Sequence, residues 1–259
     1  MSNEKSFVRY RSGEETKWGV LSNDDKYVFE LIGDIYDEWH IGERVCLTKD
    51  LELFPPCEPK TIAGLAYNYK DLVGERDKYD EPVIFLKAVS TLISETDKVI
   101  VPPNTESIWS EVEIALVLKK PLFLATREEA AAAILGCVVA NDITAKNVHG
   151  RDHHLARSKS GFTFCPVSSI LRPWKPIHSY EMRTMINGHC TQNGLSSNRI
   201  LGDIETLMLI SSIFPLFAGD LILTGTPAGA LDSVFCPGDD VCLEIEGLGR
   251  LNNTIITRH

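Results

Sequence analysis

Glu111 and Glu113 stand one residue apart at the head of Val112-Glu113-Ile114-Ala115-Leu116-Val117-Leu118, a run that is apolar apart from Glu113. Its length and its Val, Ile and Leu content read as a buried strand. Side chains at i and i+2 of a strand share a face, so the two carboxylates would lie about 6–7 Å apart along it. Ionised carboxylates held that close at the mouth of an apolar core repel each other and need a cation. A third acid, Asp142, follows a second apolar run, Ile134 to Asn141. Three carboxylates with no His or Cys in either motif suit a hard, octahedral ion such as Mg²⁺ or Mn²⁺. The spacing alone also allows a plainer arrangement. Glu111 could end a strand and Glu113 could pair with a lysine, since ordinary sheets carry Glu-x-Glu on a wet face.

Further groups could serve such a centre. The polar, basic stretch from His149 to Phe162 follows Asp142 and includes Arg151, His153, His154, Arg157 and Lys159. In an acidic chain this local reversal of charge suits an anion-binding lid, although its histidines read as a solvated loop. Lys159 lies where the stretch re-enters apolar sequence, and desolvation beside a cation would depress its pKa and make it a proton donor. Leu223-Thr224-Gly225-Thr226-Pro227 ends a strand with a glycine that admits close backbone approach. Its threonines could meet a substrate carboxylate or satisfy backbone in a tight turn. Lys87 is an isolated charge after an apolar run, placed to pair with a site carboxylate or to snorkel to water.

The elements that must position these groups follow from pattern. Strands are expected at Phe7–Tyr10, Trp18–Leu21 and Lys26–Glu30, with a small helix among them, before the breaking run Pro55-Pro56-Cys57-Glu58-Pro59. This divides the chain into a small N-terminal α+β domain, residues 1–57, and a main domain, residues 58–259. In the latter, strands are expected at Thr61–Ala66, Val83–Lys87, Val99–Val101, Val112–Leu118, Leu135–Asn141, Met182–Ile186, Leu221–Thr224 and Val241–Ile245. Helices are expected at Thr126–Ile134, capped by Thr126, and at Ile204–Phe214, capped by Asp203. A mostly β, mixed sandwich or roll is the expected fold class.

Composition removes several functions. The 259 residues carry a formal net charge of −10, which argues against nucleic acid as a partner. No segment has the length and apolarity of a membrane span, and no apolar signal core follows Met1-Ser2-Asn3-Glu4-Lys5, so a cytoplasmic protein is expected. Seven scattered cysteines without CxxC spacing read as free thiols. Gly-x-Ser-x-Gly, Gly-x-Gly-x-x-Gly and P-loop motifs are absent.

In order and spacing, Glu81-Pro82-Val83-Ile84-Phe85-Leu86-Lys87, Glu111-Val112-Glu113-Ile114-Ala115-Leu116-Val117, Ala140-Asn141-Asp142, Phe164-Cys165-Pro166 and Leu223-Thr224-Gly225-Thr226-Pro227 resemble the fumarylacetoacetate hydrolase family over roughly residues 58 to 257. The resemblance implies a β-sandwich roll, a small N-terminal domain and homodimers. It implies Glu111, Glu113 and Asp142 as ligands of Mg²⁺ or Mn²⁺, Lys159 as the active-site lysine and Thr226 as a contact to a 2-oxo carboxylate substrate; Gly225, Arg157 and Lys87 are expected as further substrate contacts. Hydrolytic members carry a His, with a Glu three residues later, just after an Asn-Tyr pair. Here that register puts Leu72 in place of the His and keeps Glu75 as the acid, whereas a register counted from Glu81 puts Lys70 there; in either the water-activating His is missing. The stretch Glu244 to Ile255 is similar to the branch that decarboxylates 5-oxopent-3-ene-1,2,5-tricarboxylate and isomerises 2-hydroxyhepta-2,4-diene-1,7-dioate.

Chemistry orders the alternatives. Hydrolysing a β-diketone needs an activated water and a base. Decarboxylation or enol–keto isomerisation needs an electron sink and one proton relay. The expectation is therefore a decarboxylase or isomerase, with acylpyruvate-type hydrolysis next. A catalytically weak member acting beside a related family subunit is the third reading.

Overall fold

The computed structural model describes residues 5–72, 81–147, 152–176 and 179–257. Its centre is the strand Val112–Leu118, every residue of which is buried. Strict alternation gives this strand two apolar faces. Val112, Ile114, Leu116 and Leu118 join one core cluster, and Ala115 and Val117 join another. It lies inside a seven-stranded mixed sheet in the order Val83–Lys87, Ile62–Ala66, Leu221–Leu223, Val112–Leu118, Ile134–Asn141, Cys165–Val167, Leu92–Ser94.

One face packs on a five-stranded sheet that includes Glu181–Ile186, Asp240–Ile245 and Gly249–Thr257, through Met182, Val241, Leu243, Leu251 and Ile255. The other packs on an N-terminal sheet through Phe7, Val20, Leu31 and Ile35. The fold is mostly β, as the strand-rich pattern requires. The small helix expected near the N-terminus is a single 3₁₀ turn, Thr48–Asp50. That sheet also takes in Ile170–Leu171 from the far side of the chain, against Phe7–Ser12.

Three α-helices are described: α1 (Arg127–Ala133), α2 (Ala156–Lys159) and α3 (Asp203–Ile213). Thr126 caps α1 through a capping box with Glu129, as the sequence anticipates. α3 begins one residue earlier than expected and Gly202 is its N-cap, without a side-chain cap. Asp203 does not cap it, because its carboxylate is engaged by Arg199 at 2.6 Å and by the Trp174 indole N–H at 2.8 Å. An ion pair and a neutral donor satisfy that carboxylate more fully than two helix amides. All seven cysteines are free. No helix among the described residues is long and apolar enough to cross a membrane.

Candidate metal centre and active site

Antiparallel pairing brings the two acidic motifs together. Val112 faces Asn141 and Glu113 faces Ala140 across the ladder. The Asp142 N–H donates to the Glu111 carbonyl at 3.0 Å, so the third acid lands beside the first. One carboxylate oxygen from each of Glu111, Glu113 and Asp142 lies within 4.8 Å of the others. Glu113 is 1% exposed and Asp142 is fully buried. An all-oxygen set of this compactness can hold a hard divalent cation, and the donor chemistry fits Mg²⁺ or Mn²⁺ equally.

Two lysines reach the same acids. The Lys87 ammonium, wholly buried, donates to Asp142 Oδ1 at 2.5 Å and to the Ile143 carbonyl at 3.2 Å. Lys159 donates to Asp142 Oδ2, to Glu111 Oε2 at 3.1 Å and to Thr144 Oγ1 at 2.7 Å. Its ammonium also sits 4.6 Å from the Phe85 ring centroid. Three carboxyl groups thus face two ammonium groups, one positive charge short of balance.

The titration of the cluster follows that shortfall. Burial, then the fields of Asp142 and Glu111, pushes the Glu113 carboxyl well above the usual range. Burial works against the charge on Asp142, but Lys159 and Lys87 hold its carboxyl below the ordinary value. Burial likewise opposes the charge on Lys159, and Asp142 followed by Glu111 overcomes it, raising the ammonium above its usual value. The sequence reading expects a depression beside a cation; with the carboxylates as its neighbours, attraction exceeds desolvation.

The outer partners are equally specific. The Gly225 N–H donates to Glu113 Oε2 at 2.7 Å, and φ of +92° at Gly225 makes that approach possible. A Cβ there would stand 3.0 Å from the Leu65 carbonyl oxygen. The Trp109 indole donates to Glu111 Oε1 at 2.8 Å. Thr224 donates to the Ile114 carbonyl and Thr226 to the Val112 carbonyl, both at 2.9 Å. The buried Gln192 donates to Thr226 Oγ1 at 2.9 Å and to the Pro227 carbonyl at 2.8 Å, while accepting from Thr184 Oγ1 at 2.9 Å. The loop from Thr224 to Pro227 is stitched to the acidic strand.

Several of the expected substrate contacts have partners within the protein. Lys87 has no exposed side chain and neutralises Asp142. Gly225 directs its N–H at Glu113, and the Thr226 proton is committed to Val112. Arg157 lies on the solvent side of α2, two residues before Lys159 and outside its contacts with the acids. Glu75, His149 and Arg151 lie outside the described residues. Lys70 and Leu72, the two positions for the missing His, flank Asp71 on a turn, where Leu72 packs partly buried against the main core.

Sequence reasoning missed Trp109, Thr144 and Gln192. Trp109 was within reach, since it is two residues before Glu111 and shares its face if the strand runs on. Gln192 gave no signal, because only the tertiary fold brings a polar strand residue to Thr226.

A mostly β roll thus brings three acids, two of them buried, beside a lysine in an arrangement that could hold a divalent ion. The chain matches the family described as fumarylacetoacetate (FAA) hydrolase C-terminal over residues 61–256, and it belongs to that family. It is 32% identical over 227 residues to a 4-hydroxyphenylacetate degradation bifunctional isomerase/decarboxylase of Escherichia coli, covering 84% of this chain and 52% of that protein. The chain thus spans about half the length of that relative. It is 30% identical to the mitochondrial oxaloacetate tautomerase FAHD2A of Bos taurus, covering 79% of this chain and 69% of that one. Among solved structures, a 2-hydroxyhepta-2,4-diene-1,7-dioate isomerase from Mycobacterium marinum superposes with a TM-score of 0.87 at 27% identity, covering 98% of this chain and 99% of that one.

Proposed function

We propose that this protein is a divalent-metal-dependent enzyme that isomerises or decarboxylates a 2-oxo (2-hydroxydienoate) dicarboxylic acid in aromatic catabolism, as a homodimer or beside a related family subunit. The observation that carries the reading is the meeting of Glu111, Glu113 and Asp142 with Lys159 in one largely buried cluster. The named relatives that isomerise, decarboxylate or tautomerise support it.

Glu111, Glu113 and Asp142 would hold Mg²⁺ or Mn²⁺, which when bound polarises the carbonyl beside a substrate carboxylate. Trp109 and the Gly225 N–H fix the rotamers of Glu111 and Glu113. Lys87 keeps Asp142 ionised from behind. Lys159 holds a proton at Nζ, oriented by Asp142 and Thr144. Lys159 Nζ, held against Asp142, Glu111 and Thr144, is the group that would deliver a proton to the substrate carbon. Phe85 covers the ammonium with an apolar ring. Arg157, outside this cluster, is left to steer an anionic substrate towards it.

Hydrolysis of an acylpyruvate is the second reading. The missing His at Leu72 or Lys70 weighs against it, because no described base stands ready to activate water. Purified protein with Mg²⁺ or Mn²⁺ is offered oxaloacetate and acetylpyruvate. Enol–keto exchange or release of CO₂ from the first, without cleavage of the second, is expected. Cleavage of acetylpyruvate alone would replace the proposal with the hydrolase reading, and ion binding without turnover of either would favour the partner-subunit reading.

A further inference from the structure

Asp152 has no place in the cluster, yet it is one of the few fully enclosed carboxylates, at 4% exposure. It lies seven residues before Lys159 and just ahead of α2. Oδ1 accepts the Arg157 N–H at 3.0 Å. Oδ2 accepts the Ser158 N–H at 2.6 Å and the Ser158 hydroxyl at 2.7 Å. Burial alone would raise this carboxyl. The Ser158 hydroxyl and the amides of Arg157, Ser158 and Ala156 hold it below the ordinary range, so it is a carboxylate at neutral pH.

α2 is a single turn of four residues and cannot hold its shape by its own hydrogen bonds. Both of its flanks carry left-handed residues that are not glycine, Leu155 at φ +57° and Thr163 at φ +72°. Such backbone persists only where neighbouring contacts over-determine it. At the tail these contacts are Ser160 Oγ, which accepts the Ala88 N–H at 2.9 Å, and Thr163 Oγ1, which accepts the Ile100 N–H at 2.8 Å. At the head the only carboxylate on the turn is Asp152. Its backbone carbonyl also accepts from Asn147 Nδ2 at 3.2 Å, tying the turn to the segment that follows Thr144.

We propose that Asp152 is a positioning residue whose carboxylate clamps the head of α2 and thereby sets Lys159 against Asp142, Glu111 and Thr144. The inference rests on the reading of Lys159 as the proton-carrying group. The described hydrogen bonds of Asp152 reach α2, Leu155 and Asn147, and none runs to Glu111, Glu113 or Asp142. The clamp therefore governs the lysine and leaves the ion site alone. Displacing a reacting group by about 1 Å can cost roughly 100-fold in rate.

Asp152→Asn preserves size but replaces one acceptor oxygen with a donor. In this variant turnover of oxaloacetate should fall about 100-fold, with KM and Mn²⁺ affinity within about twofold of the parent protein. Lys159, protected from N-hydroxysuccinimidyl acetate in the parent, should become acetylated in the variant, as read by mass spectrometry. Ser158→Ala, which removes only one of the three bonds, should show both changes more weakly, and it serves if Asp152→Asn does not fold. Lys159 protected to the parental degree in both variants would overturn the proposal, as would a loss of Mn²⁺ affinity in step with turnover. Should the parent protein turn over no 2-oxo acid, the proposed function fails, while acetylation of Lys159 still decides whether Asp152 sets it.

Discussion

The same two strand ends, residues 110–113 and 140–142, present different chemistry on their two faces. On one face stand Glu111, Glu113 and Asp142, charged, crowded and held by two lysines. Their immediate neighbours Val112 and Asn141, paired across the ladder, look the other way. There Asn141 Oδ1 accepts from the Ser110 hydroxyl at 2.9 Å and from the Glu111 N–H at 3.2 Å. Gln192 Oε1 approaches the Val112 N–H at 3.4 Å. The first face is out of charge balance and pushes Glu113 up; the second is built from neutral amides and hydroxyls that fix backbone. Neutral hydrogen bonds hold the framework, where an unpaired charge would cost several kcal/mol.

Mutations on the charged face should produce the largest effects. Glu113→Gln keeps the Glu113 volume and should abolish thermal stabilisation by Mn²⁺. Turnover should fall by at least about 10²–10³-fold, the scale of one removed electrostatic contact in a dry site. Unchanged turnover would remove Glu113 from the centre. The same variant carries a pH signature in the ion-free protein. A carboxyl whose folded pKa is raised stays protonated in the native state while the unfolded chain ionises above about pH 4.5. Its contribution to stability therefore declines as pH rises from there towards the folded pKa. Urea unfolding of the parent should show this decline as pH rises above about 4.5, and Glu113→Gln should lack it.

Lys87→Met leaves Asp142 with one ammonium and should cost about 3–5 kcal/mol in urea unfolding, since it breaks a buried pair. A cost below about 1 kcal/mol would show that Lys159 alone neutralises Asp142. On the neutral face, Gln192→Leu should cost about 1–3 kcal/mol through unsatisfied groups at Thr184, Thr226 and Pro227. It should also weaken Mn²⁺ binding by about 10–100-fold, measured by calorimetry, because the Thr224–Pro227 loop orients Glu113. A Gln192 variant with parental ion affinity would separate the two faces entirely. Far from both, Thr126→Ala should cost about 1 kcal/mol by loss of the α1 cap and leave turnover unchanged.

The comparison also explains what the sequence could convey. Continuous apolar runs such as Val112–Leu118 and Ile134–Asn141 were legible because strands buried on both faces carry their own signature. The long strand Trp39–Leu47 was not, since its polar, bulged pairing with Tyr27–Gly33 lacks alternation. Gly249–Thr257 hides two asparagines in its pattern, and buried Asn253 is there to hold the Ser94 and Asp97 carbonyls. Of the site, the acid trio and Lys159 could be named from type and spacing. The direction of the Lys159 shift among these neighbours depends on two carboxylates brought from distant strands. The pairing of Lys87 with a site carboxylate and the backbone role of Thr226 were among the alternatives the sequence offered, and the assembled sheet decides for them.

The central claim is that Glu111, Glu113 and Asp142 together take one hard cation onto which a 2-oxo acid docks. Calorimetric titration of the chain with Mn²⁺, with and without oxalate, tests it most directly. One ion per chain, bound more tightly with oxalate present and lost in Glu113→Gln, is the result predicted. Absence of binding at millimolar Mn²⁺, or affinity untouched by Glu113→Gln, would contradict it.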